Sequence, residues 1–167
     1  MAPKLQRAGA AGERATPAGG TLDDAAALER FTEAQEGTYA QALAEVRAGR
    51  KRSHWMWFVF PQLAGLGTSD FARRYAIRDL AEARAYLAHP VLGARLREIC
   101  AAAAAVPAGT ALEVFGAPDD LKLHSSATLF SLVSPPGSPF HAVLARYYDG
   151  EPDAATLRLL GFGAVEP

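Results

Sequence analysis

The sequence predicts an all-α protein: a compact, irregular multihelical single domain of about eight mostly short helices. Three observations carry this. Capping residues recur ahead of segments with helical apolar spacing, and Gly or Pro stops follow them. No segment makes a convincing strand that could pair with another. Half of the 167 residues are apolar and net charge is −1, a globular composition with enough apolar material for one core. The helices are too short and uneven for an up-down bundle.

Residues 1–20 read as a disordered tail, rich in Ala, Gly and Pro around Lys4, Arg7 and Arg14, without the apolar block of a secretory signal. The domain spans 21–162, and 163–167 form a second tail. Thr21 or Asp23 opens a helix to Gln35, with Ala27, Leu28, Phe31 and Gln35 in register. Thr38 caps a helix over 39–48, stopped by Gly49. Ser53 caps a short helix through Trp55–Phe60, closed by Pro61; a buried strand is the alternative reading of so short an apolar run. Gln62–Thr68 is a glycine-bearing loop without a phosphate-loop pattern.

Ser69 or Asp70 starts a helix to Ile77, and Asp79 caps one over 80–88. His89-Pro90 opens the next, over 91–105. Thr110-x-x-Glu113 matches a capping box, with one turn ending near Gly116. Pro118-Asp119-Asp120 opens a helix to about Leu132, with two carboxylates at its positive end. Ser138-Pro139 leads into a helix over 141–148. Asp153 caps the last, over 154–160, before Gly161.

The chain is organised around Gly49–Gln62, GRKRSHWMWFVFPQ, where Arg50, Lys51, Arg52 and His54 precede an apolar run holding both tryptophans. The chain has fourteen arginines and three lysines. A lysine kept among arginines suggests a role for an amine, which can deprotonate and attack a carbonyl where a guanidinium cannot. Lys51 and Lys122 are the informative pair, and Lys4 lies in the tail. His54 is a candidate general base or phosphate contact. Trp55 offers a face on which a flat ring can stack. In DDLKLHSSATLF, helical spacing sets Lys122, Ser125 and Ser126 on one face, an anion-shaped arrangement. Asp119 or Asp120 supplies the acid, with Asp120 preferred. Gln35, Tyr39 and Gln62 are secondary candidates for reading a ligand.

Each motif has a plainer reading. The lysines are ordinary solvated lysines, the aromatics are core, the serines bond preceding carbonyls, and the basic run is a solvated edge. Cys100, in an alanine-rich run, reads as a small buried residue. One cysteine permits no internal disulfide, so an intracellular, cytoplasmic setting is expected. His89, His124 and His141 show no metal-ligand spacing, and no cofactor motif is present. No apolar run reaches the ~20 residues that span a bilayer. Near-neutral charge disfavours a broad nucleic-acid surface. The expected partner is a nucleotide-like small molecule, and no feature specifies an oligomeric state.

AQEGTYAQALAEVRAGRKRSHWMWFVFPQ, YAIRDLAEARAYLAHPVLGARLRE and VFGAPDDLKLHSSATLF together resemble the family called domain of unknown function 1810. The resemblance covers roughly Leu28–Tyr148 and implies a compact α-helical fold without a settled activity. Some members carry the label calpastatin, which a folded, apolar-rich chain does not fit. In layout the chain is also similar to the NADAR N-glycosidases: Ala34-Gln35 on an early helix, a His-Pro-x-Leu start at His89–Leu92, and an acidic residue before a polar segment from Asp119. Leu-Lys-Leu-His-Ser-Ser stands where that group has Trp-Gly. This similarity implies chemistry at an N-glycosidic or aminal carbon, with a lysine and a carboxylate acting on a nucleotide or ADP-ribose-type ligand. A non-catalytic interaction or structural domain is the competing expectation.

Overall fold

A computed structural model describes residues 22–162. The expected tails, 1–20 and 163–167, lie outside the described residues. Ten α-helices occur among the described residues: α1 Leu22–Gln35, α2 Tyr39–Arg47, α3 Met56–Val59, α4 Asp70–Arg74, α5 Leu80–Ala88, α6 Leu92–Ala104, α7 Ala111–Phe115, α8 Asp119–Ser131, α9 Pro139–Tyr148 and α10 Ala154–Leu159. The fold is all-α, and several helices are a single turn.

The architecture turns on α6 and α8. Leu92, Leu96, Ile99, Cys100 and Ala103 recur at helical spacing and are buried, so α6 takes α9, α2 and α5 against it. α8 is buried nearly all round from Leu123 to Phe130, its polar Ser125, Ser126 and Thr128 included, and packs among α9, α7, α5 and α10. Gly93 permits the close seating of α6, because a Cβ there would lie 2.1 Å from the Leu87 carbonyl oxygen. Arg30 of α1 clamps the chain between α4 and α5. Its guanidinium donates to the carbonyls of Arg74 (2.7 Å) and Ala76 (2.6 Å) and lies 3.5 Å from Glu82 of α5.

Helix starts follow local chemistry. Ser69, Asp79, Ser138 and Asp153 each accept a backbone N–H three residues on, and Thr110 with Glu113 forms a full capping box. His89 caps as well: its Nδ1 accepts from the amides of Val91 and Leu92 at the start of α6.

Three expectations are corrected. Thr38 is placed as a cap but its side chain makes no capping bond. Ser53 does not cap α3, because its hydroxyl donates to Glu45 (2.6 Å), and the aromatic helix shrinks to Met56–Val59. The helix from Asp70 ends at Arg74 rather than Ile77. Tyr75 and Ile77 are buried at alternate positions, a strand-like pattern, and Ile77 forms an isolated parallel bridge with Leu63. The Ile77 amide donates to the Gln62 carbonyl and the Ala64 amide to the Ile77 carbonyl, both at 2.8 Å.

Candidate functional site

The segment from Arg50 to Trp55 is extended and turned, without secondary structure of its own. Its hydrogen bonds therefore have to come from elsewhere. Glu45, on the inner face of α2, supplies most of them. Its Oε1 accepts from the Arg52 amide (2.9 Å), the Ser53 amide (3.1 Å) and the Trp55 indole (2.9 Å). Its Oε2 accepts from the Ser53 hydroxyl (2.6 Å) and Gln41 (3.0 Å). Burial alone would raise this carboxyl, but the bonds from Ser53, Arg52, Trp55 and Gln41 outweigh it and bring it down to about 2. The Lys51 amide donates to the Val114 carbonyl at 2.7 Å, which fixes the segment to α7 as well.

Held this way, Lys51 points toward the start of α8. Its amine lies 2.8 Å from Asp119 Oδ2, also donates to the Ser53 carbonyl, and sits 4.9 Å from the Trp55 ring centre. Lys122, one turn along α8, reaches the other carboxylate oxygen at 3.7 Å and lies 4.8 Å over the Trp57 ring. Lys51, Asp119, Lys122 and Trp57, with His54, Met56, Ser69, Ala117 and Pro118, line an open cleft of about 430 Å³. Phe71, half exposed, packs on Trp57 with ring centres 4.9 Å apart. The cleft thus offers two amines, one carboxylate, an imidazole and a partly exposed indole, with positive charge in excess. Such a set suits an anion attached to a flat ring.

Of the residues expected from the sequence, Lys51, Lys122 and His54 meet at this cleft. Asp119 is the carboxylate between the amines. Asp120, the preferred acid, is not: its Oδ1 is buried without a hydrogen-bond partner and its backbone carbonyl accepts from Tyr148. Consecutive residues on a helix diverge by about 100°, so only one of the two can face Lys51. Trp55 is fully buried and cannot stack a ligand; Trp57 is the tryptophan on the wall. Arg50 is exposed and does not line the cleft, since side chains alternate along an extended segment and Lys51 points in.

Ser125 and Ser126 are buried in α8. Ser125 accepts from Gln62 (2.7 Å) and donates to the Lys122 carbonyl (3.1 Å), so Gln62 and Ser125 tie the 62–69 loop to α8 rather than lining the cleft. Gln35 is also an internal tie: its amide donates to the Phe58 carbonyl (2.8 Å) and Tyr86 (3.1 Å) and accepts from Arg95 (3.2 Å). Tyr39 donates to Glu98 at 2.7 Å, with its hydroxyl pushed up by burial and then by that carboxylate. Burial likewise pushes the Cys100 thiol up, which removes it as a nucleophile.

Glu45, Asp119 and Trp57 are the residues that motif reading undervalued. An acidic residue among the apolar positions of α2 is the signal that could have found Glu45. Among the described residues no group of three or more His, Cys, Asp or Glu could hold a metal ion, and no helix is long and apolar enough to cross a membrane.

No curated protein matches the chain. A solved structure does: the conserved hypothetical protein Rv1873 from Mycobacterium tuberculosis is 51% identical, with a TM-score of 0.78, over 80% of this chain and 96% of that one. Residues 25–160 match the family described as protein of unknown function (DUF1810), which takes in every helix lining the cleft; the chain belongs to that family.

Proposed function

We propose that the cleft binds an anionic small molecule bearing a flat ring, of the nucleotide or ADP-ribose type. The observation that carries this is the convergence of both lysines of the described region on Asp119, in a cleft walled by Trp57. In this reading Lys122 and His54 take the phosphate, the indole of Trp57 takes the ring, and Asp119 accepts a proton from a water whose oxygen bonds to the N-glycosidic carbon as the carbon–nitrogen bond breaks and the base leaves with its electron pair, to be protonated by solvent. The NADAR-like layout supports the last step alone, since Gln35 and His89 have internal bonds that account for them.

A thermal-shift series against ADP-ribose, NAD, AMP and ribose 5-phosphate tests the reading, followed by nucleobase-release assays on any ligand that binds. A binder at ~100 times its Kd stabilises by ~2.7 kcal/mol, a rise of about 5 °C or more for a chain of this size. The rise should disappear in Lys122→Ala. No shift with any of the four rejects the reading. One observation favours a second, non-catalytic reading: Lys51 is satisfied internally by Asp119, the Ser53 carbonyl and the Trp55 face, as a structural strut would be.

A further inference from the structure

We infer that Lys122 is the amine that meets the ligand, and that Lys51 is a positioning residue that holds Asp119 without touching the ligand. The inference rests on the binding cleft proposed above and divides its two amines. An ammonium has three hydrogens to donate. The Lys51 ammonium donates one to the Ser53 carbonyl, pairs with Asp119 at 2.8 Å and lies against the Trp55 face, and its side chain is only 8% exposed. The Lys122 amine stands 3.7 Å from Asp119, beyond hydrogen-bond distance, and its side chain is 20% exposed. Charge and the indole face hold it in place.

An oxyanion entering the cleft therefore recruits Lys122 without breaking a hydrogen bond, whereas recruiting Lys51 breaks its bond to the Ser53 carbonyl and separates an ion pair held at 2.8 Å. The same displacement uncovers the Trp57 face on which the amine now rests. One side chain thus opens the ring-binding surface as it takes the anion. Lys51 meanwhile keeps Asp119 oriented and partly neutralised, so that the carboxylate does not draw Lys122 back.

Reductive labelling with pyridoxal 5′-phosphate, an anionic ring aldehyde, tests the division on the full chain. A deprotonated amine adds to the aldehyde carbon and water leaves, giving an imine. Borohydride then delivers hydride to the imine carbon and solvent protonates the nitrogen, leaving a stable secondary amine for peptide mapping. Lys122 should be modified about tenfold faster than Lys51, and AMP should slow it. Equal or faster modification of Lys51 overturns the inference. Fast Lys122 labelling that AMP leaves unchanged supports the division of the lysines and rejects the nucleotide reading.

The positioning role has its own readout. In Lys51→Met the released charge of Asp119 should capture Lys122 and slow its labelling by about threefold, the scale of a part-exposed ion pair. Lys51→Arg should restore the rate. An unchanged or faster Lys122 rate, in a variant with native circular dichroism, overturns the role. Should Lys51→Met not fold, Asp119→Asn removes the shared charge instead. The two lysine rates should then converge, and an undiminished ratio overturns the inference.

Discussion

Two carboxylates hold the Arg50–Trp55 segment, and they do so in opposite ways. Glu45 is enclosed and accepts five hydrogen bonds, three on one oxygen and two on the other. Four of those donors belong to the segment it supports, and the fifth, Gln41, is on its own helix. Asp119 lies at an opening, with one tight cationic partner and one loose one. A carboxylate whose acceptor capacity is filled by neutral donors is architecture. One with a loosely held counter-charge beside a cleft leaves room for another anion to compete. The same stretch of chain faces both, with its backbone toward Glu45 and its one lysine toward Asp119.

The comparison breaks most easily at Glu45. Glu45→Ala strands the amides of Arg52 and Ser53 and the Trp55 indole, and should cost about 3 kcal/mol in urea denaturation. A loss no greater than that of an average surface substitution would show that water replaces the carboxylate. Acid should act through the same residue. Its folded value near 2 lies below the ordinary 4.5, so the unfolded chain binds the proton more readily as pH falls. The contribution is complete above about 4.5 and fades as pH drops through 2. The stability gap between wild type and Glu45→Gln should narrow across that window, and a constant gap from pH 6 to 2 contradicts the assignment.

Smaller effects sharpen the contrast. Lys51→Met should cost about 1–2 kcal/mol, because it leaves a part-buried carboxylate without its near partner. Lys122→Met should cost about 0.5 kcal/mol or less, as a long, part-exposed pair does. Equal costs in the same denaturation series would erase the difference between the two amines. Trp57→Phe should change stability least and weaken any ring-bearing ligand more than a ringless phosphate, measured by titration calorimetry.

Much of the fold was legible in the sequence because helix starts are written locally. Asp79, Thr110, Ser138 and Asp153 bond amides three residues away, so a short window contains the whole cause. Ser53 misled because its better acceptor, Glu45, lies eight residues back on another helix. Ile77 misled because its bridge partner lies in the preceding loop. The cleft was half legible. The rarity of lysine singled out Lys51 and Lys122, and their meeting at one carboxylate is a tertiary fact. Whether Asp119 or Asp120 faced them depended on the rotation of α8, and whether Trp55 or Trp57 reached the wall depended on which one Glu45 drew inward. The DDLKLHSS block gave the right helix with the wrong depth: its serines serve the interior.

The bonding pattern around Glu45 also has a temporal side. Every donor it receives lies between Gln41 and Trp55, so the loop that presents Lys51 can close as soon as that stretch has left the ribosome. Asp119 arrives much later, and closing so long a loop carries an entropy cost that only the assembled core repays. Until then Lys51 is an amine without its counter-ion. The ion pair is thus a marker of completed folding, and the cleft, whose walls come from segments 51–69 and 117–122, exists only in the finished molecule.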